Sequence, residues 1–125
     1  MHRTLLLALA ALLLAGCAKK EPLTSHGKPV SYWVQALSDP DARTRKRAVT
    51  ALGHVGTADP AAVPAVAGAL KDRDPAVRQT AALALLNLGP DAREAVPALQ
   101  EALKDRDPKV RAAAQKALER IQPAG

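Results

Sequence analysis

The chain has 125 residues, a formal net charge of +6, one tryptophan, one tyrosine, no phenylalanine and one cysteine. That length makes a single domain, the lone cysteine excludes an internal disulfide, and two aromatic residues exclude a large aromatic core. The apolar content is mostly Ala, Leu and Val, so the core must consist of many small side chains between closely packed helices.

Residues 1–16 stand apart from the fold. Arg3 gives a short positive start, and residues 4–14 form a run rich in Leu and Ala. The run is shorter than the roughly 20 apolar residues that a membrane-spanning helix needs. A charged start, a short apolar stretch and small residues at its end describe a secretory signal peptide. The tetrapeptide Leu14-Ala15-Gly16-Cys17 resembles the lipobox of bacterial lipoproteins. That resemblance implies that the Cys17 thiol takes a diacylglycerol, that cleavage falls just before it, and that the freed amine is acylated. An ordinary secretory signal with an incidental cysteine is the alternative. Two or three acyl chains hold a protein stably, each buried methylene contributing about 0.8 kcal/mol. Ala18 stands where an Asp marks inner-membrane retention in such lipoproteins. The resemblance therefore favours export and a lipid anchor on the periplasmic face of the outer membrane.

Residues 17–29 hold the lipidated cysteine followed by Pro, Gly, Ser and charges without apolar periodicity, the composition of a tether. Lys19 and Lys20 would lie beside the lipid, touching anionic headgroups or simply solvated.

From residue 30 onward the chain repeats itself. Residues 63–78 read VPAVAGALKDRDPAVR and residues 96–111 read VPALQEALKDRDPKVR, with four differences at an offset of 33. The same offset joins Gly56 with Gly89, Ala48 with Ala81 and Ala114, Leu52 with Leu85 and Leu118, and Arg45 with Arg78 and Arg111. It also places Val30, Trp33 and Leu37 on Val63, Val66 and Leu70. The chain therefore opens with a half-repeat at 30–37, continues with two full repeats, and closes with a half-repeat at 107–121.

Each repeat holds two helical patterns. Val77, Ala81, Leu85 and Leu88 recur at helical spacing, copied by Val110, Ala114, Leu118 and Ile121, and by Ala48, Leu52 and Val55. Val96, Leu99 and Leu103 share a face of the second, shorter pattern. Asp74-Pro75 and Asp107-Pro108 place an acceptor at the N-cap before a proline at the first helical position. Asp59-Pro60 offers the same for a second-type helix, and Asp91 with Glu94 has the spacing of a capping box. Gly56 and Gly89 fall where a left-handed residue would stop a helix. Pro64 and Pro97 are compatible with helices that begin near Ala62 and Ala95. The first repeat has Asp41-Ala42 for Asp-Pro and Thr44 for Val, so its long helix is expected to start less sharply, or at Asp39-Pro40.

The pattern D-x-D-P-x-V-R, an Ala-rich amphipathic helix ending in L-G and a short second helix resemble HEAT-like repeats, closest to the short subtype first named from phycobilisome lyases. The likeness spans residues 30–121 within a domain of residues 30–125. It implies an all-α fold: a short α-solenoid of stacked antiparallel helix pairs, about six helices in two layers. It further implies a ladder of Asp and Arg side chains tying repeats together, from Asp41 and Arg45, Asp74 and Arg78, and Asp107 and Arg111. It places Ala67, Lys71, Gln100, Glu101 and Lys104 on the inner face, where a partner would bind.

Other candidates come from the residues themselves. Arg43, Lys46 and Arg47 form a basic patch on the first long helix, able to attract an acidic protein, an anionic lipid or an envelope polymer; a solvated outer face is the plainer alternative. Trp33 shares a core register with Val66 and Leu99 and is expected to cap the solenoid. Tyr32, off that register, could anchor a partner, and His54 reads as a surface histidine. No nucleophile elbow, phosphate loop or zinc spacing is present, so no catalytic, metal or cofactor site is expected and the protein is read as no enzyme. The leading reading is a membrane-tethered module for an unknown protein partner. An accessory subunit stabilising a larger envelope assembly is the alternative, and a bilin-lyase-like enzyme has no supporting residue. Export argues against nucleic acid. Three repeats are usually needed for stability, so self-association is open too.

Overall fold

The computed structural model describes Thr24 and residues 26–123; Cys17 and the expected signal peptide lie outside the described residues. Among the described residues six α-helices follow one another: α1 (Val30–Ala36), α2 (Ala42–Val55), α3 (Ala62–Gly68), α4 (Pro75–Leu88), α5 (Val96–Ala102) and α6 (Pro108–Ile121). Three 3₁₀ segments, Gly56–Ala58, Ala69–Lys71 and Gly89–Ala95, complete the connections. Each of α1, α3 and α5 has 7 residues and each of α2, α4 and α6 has 14. The helices therefore alternate in length with the period of the sequence.

The long helices start where an aspartate can satisfy their free N–H groups. Asp41 accepts from Arg43 N at 3.0 Å, Asp74 from Ala76 N at 2.7 Å, and Asp107 from Lys109 N at 2.8 Å. Helix α2 begins as sharply as its copies although Ala42 replaces proline, because the carboxylate supplies the cap and proline only pre-sets φ. Asp74→Ala should cost about 1 kcal/mol, read as a lower midpoint in urea unfolding. The short helices have no side-chain cap. The capping box expected from Asp91 and Glu94 does not form; both lie in the 3₁₀ segment, interrupted at Ala92. Pro64 and Pro97 fall within the first turns of α3 and α5, where the lost N–H has no helical acceptor.

Gly56 (φ 53°, ψ −131°) and Gly89 (φ 61°, ψ −138°) end α2 and α4. Their φ is positive, as expected of a helix stop, but their ψ lies outside the left-handed helical well, in a region open essentially to glycine alone.

The long helices stack as α2–α4–α6 and the short ones as α1–α3–α5, each short helix packing on the long one that follows it. One continuous core runs through both layers. Ala48, Ala81 and Ala114 are fully buried in the same register, and a Cβ added at Gly53 would stand 3.0 Å from that of Ala84. Small residues thus let α2 and α4 approach closely. Val49 and Ala82, each with a repeat after it, are buried, whereas Gln115 at the same register in the last helix is exposed.

At the opening end Trp33 is buried, in register with Val66 and Leu99. Its indole Nε1 donates to Thr24 Oγ1 at 3.0 Å. Thr24 N donates to Lys28 O, and Gly27 N to Thr24 O, so the stretch closes on itself as a turn. The ring of His26 meets Trp33 edge-on at 5.5 Å. The tether expected over residues 17–29 therefore has its last part, Thr24 and residues 26–29, packed onto the solenoid.

Candidate functional site

The turns between short and long helices carry most of the polar structure. Arg45 is 3% exposed, which is unusual for arginine. Its Nε and Nη2 donate to Asp72 Oδ2 and Oδ1 at 2.9 and 3.2 Å, a bidentate pair. Its Nη1 donates back to the carbonyls of Asp39 and Pro40. One repeat on, Arg78 makes the same bonds to Asp105 at 2.8 and 3.1 Å and to the carbonyls of Asp72 and Arg73. Arg111 donates to the carbonyls of Asp105 and Arg106.

These rungs differ from the ones expected. Asp41, Asp74 and Asp107 do not pair with the arginines four residues on; their carboxylates face the first-turn N–H groups they cap. The acids of the ladder are Asp72 and Asp105, the first aspartate of each D-x-D-P. A repeat earlier, Asp39 occupies their register and, like them, accepts from the N–H two residues on. The 33-residue repetition of Asp72 and Asp105 was the available signal, and the more local i, i+4 spacing concealed it.

Burial works to raise the Asp72 carboxyl. The Arg45 hydrogen bond, the Asp74 N–H and the charges of Arg45 and Arg73 outweigh it and hold the group below the usual aspartate range. Asp105 is lowered in the same way, its burial overcome by Arg78, the Asp107 N–H and Arg106. A depressed folded pKa gives stability that is complete above the unfolded value of about 3.9 and lost as pH falls through the folded value. Melting temperature should therefore drop steeply below about pH 4, and Asp72→Asn with Asp105→Asn should flatten that acid limb while lowering the plateau.

A groove of about 410 Å³ opens across these turns, lined by Lys71, Arg73, Glu101, Lys104 and Arg106 above Leu70, Ala98 and Ala102. It unites three expected partner residues, Lys71, Glu101 and Lys104. Gln100 is exposed on α5 and does not line it, and Ala67 packs against the core. With Asp72 and Asp105 engaged by Arg45 and Arg78, four cations remain in the groove against Glu101.

The basic patch lies elsewhere. Arg43, Lys46 and Arg47 line a recess of about 300 Å³ together with His26 and Thr50. His54 is exposed but stacks parallel on His26, with centroids 6.0 Å apart. That contact was not legible in the repeat, because its partner belongs to the segment read as tether. Tyr32 is 44% exposed, edge-on to Trp33 and beneath Lys28 Nζ. Among the described residues no group of three or more His, Cys, Asp or Glu could hold a metal ion, and no helix is long and apolar enough to cross a membrane.

Two engineered proteins solved by crystallography in a structural genomics consortium are similar in fold. One shares 30% identity at a TM-score of 0.60, over 74% of this chain and 44% of its own. The other shares 28% identity at a TM-score of 0.55, over 77% of this chain and 28% of its own. This chain thus spans less than half the length of either. No curated protein matches it. The family model for HEAT repeats matches residues 30–119, from the first turn of α1 into the last turn of α6. With its paired helices, 33-residue period and Asp–Arg rungs, the chain belongs to the HEAT-repeat family.

Proposed function

We propose that the protein is a non-catalytic interaction module of a bacterial cell envelope, anchored by lipid on Cys17, that binds an acidic segment of a protein partner. The groove carries this reading. It crosses two repeats, sets Lys71 and Lys104 one repeat apart, and keeps a cationic excess because its own aspartates are engaged in the ladder. Repeat solenoids present such extended surfaces for binding. The lipobox-like Leu14-Ala15-Gly16-Cys17 supports the anchor, and Ala18 supports the outer membrane over the inner one.

Crosslinking in living cells followed by recovery of the tagged full-length protein tests the binding. A specific partner should be lost with Lys71→Glu plus Lys104→Glu and retained with Gln100→Ala. Recovery of the same partner by the charge-reversed variant would overturn the groove as its site. Mass spectrometry of the mature N-terminus tests the anchor separately, and an unmodified Cys17 would remove it.

A further inference from the structure

The recess around Arg43, Lys46 and Arg47 is unused by the groove reading. All three side chains are exposed. The ion pairs among the described residues are Arg45–Asp72 and Arg78–Asp105, so these three cations have no partner carboxylate among those residues. Among the described residues no acidic side chain lines the recess; the nearby Asp41 is turned to its capping bond with Arg43 N. The third wall is His26, held against His54 and Trp33. The patch is therefore built partly from the segment that leads toward Cys17, and it lies at that end of the solenoid. His26 lies nine chain steps after Cys17, and a fully extended chain spans at most about 3.3–3.6 Å per residue. A membrane anchor at Cys17 would hold the recess within about 30 Å of the bilayer.

We propose that this end face docks on the headgroups of an anionic phospholipid leaflet and so fixes how the anchored solenoid stands on its membrane, leaving the groove free. The inference rests on the Cys17 anchor proposed above. An anionic leaflet is favoured over an acidic protein because the anchor supplies the leaflet at high local concentration. Each Lys or Arg near such a surface contributes about fivefold in binding, equivalent to about 1 kcal/mol.

The full-length lipidated protein provides the test, because Trp33 is the only tryptophan and lies beside the recess. Protein is incorporated into phosphatidylcholine vesicles with or without phosphatidylglycerol, each containing headgroup spin-labelled lipid. Flotation reports the anchor, and quenching of Trp33 reports docking of the end face. Quenching should appear only with phosphatidylglycerol and vanish at high salt. It should fall on the order of a hundredfold in docked population with Arg43→Glu, Lys46→Glu and Arg47→Glu, and persist with Arg43→Lys and Arg47→Lys. Protein that floats without phosphatidylglycerol-dependent quenching would overturn the docking while sparing the anchor. Protein that fails to float would remove the anchor and the inference with it. Displacement of wild-type quenching by soluble poly-glutamate at salt that leaves phosphatidylglycerol docking intact would assign the face to an acidic polypeptide and overturn the lipid.

Discussion

Leu85→Asp should leave the chain unfolded. Leu85 is fully buried in α4, the long helix packed between α2 and α6. Truncating a buried leucine costs about 2–5 kcal/mol, and an unpaired carboxylate held away from water adds several more. Folded domains have only about 5–15 kcal/mol in total, and a short array has little reserve. Because α4 touches both long neighbours, the damage cannot be confined to one end. Far-ultraviolet circular dichroism should show loss of most helicity. Full helicity in the variant would mean that Leu85 does not sit at the centre of the stack.

Gly56→Ala should be the most damaging single-methyl change. A side chain at φ 53°, ψ −131° is strained in any surroundings, at about 1–3 kcal/mol. The new Cβ would also stand 2.8 Å from Leu88 Cδ2. That methyl ends a flexible side chain and can shift, so the backbone term dominates, and a loss of about 2–3 kcal/mol is expected. Gly68 sets the opposite sign. It is helical and exposed, and a Cβ there meets nothing within 4 Å. Gly68→Ala should therefore stabilise by about 0.5–1 kcal/mol. Urea unfolding of the two variants beside the parent checks both, and equal effects would show that backbone conformation does not govern these positions.

The architecture was legible because its signals are periodic. Residues 63–78 and 96–111 repeat almost unchanged, and Asp74-Pro75 and Asp107-Pro108 mark helix starts in one local step. The core was legible for the same reason, since Ala48, Ala81 and Ala114 share a register. What escaped depends on contacts without a local spacing. The Arg45 rung reaches Asp72 across 27 residues, a separation set by how two hairpins stack rather than by helical pitch. His26 and Thr24 belong to a stretch with no periodicity, yet their bonds to Trp33 place them on the fold. Of the residues lining the groove, Lys71, Glu101 and Lys104 were legible from the resemblance, which points to the second helix of each pair, whereas Arg73 and Arg106 lie in the turns beyond it.

The doubly bonded guanidiniums have a consequence for ligand size. Each one grips its own turn through two carbonyls and the next turn through a carboxylate, so the interval between turns is clamped from both sides. Packed helices lie about 8–10 Å apart, and an extended peptide advances about 3.3 Å per residue. An extended strand lying across the ladder would pass from Lys71 to Lys104 in about three residues, so the partner proposed above is expected to carry acidic residues at about that spacing.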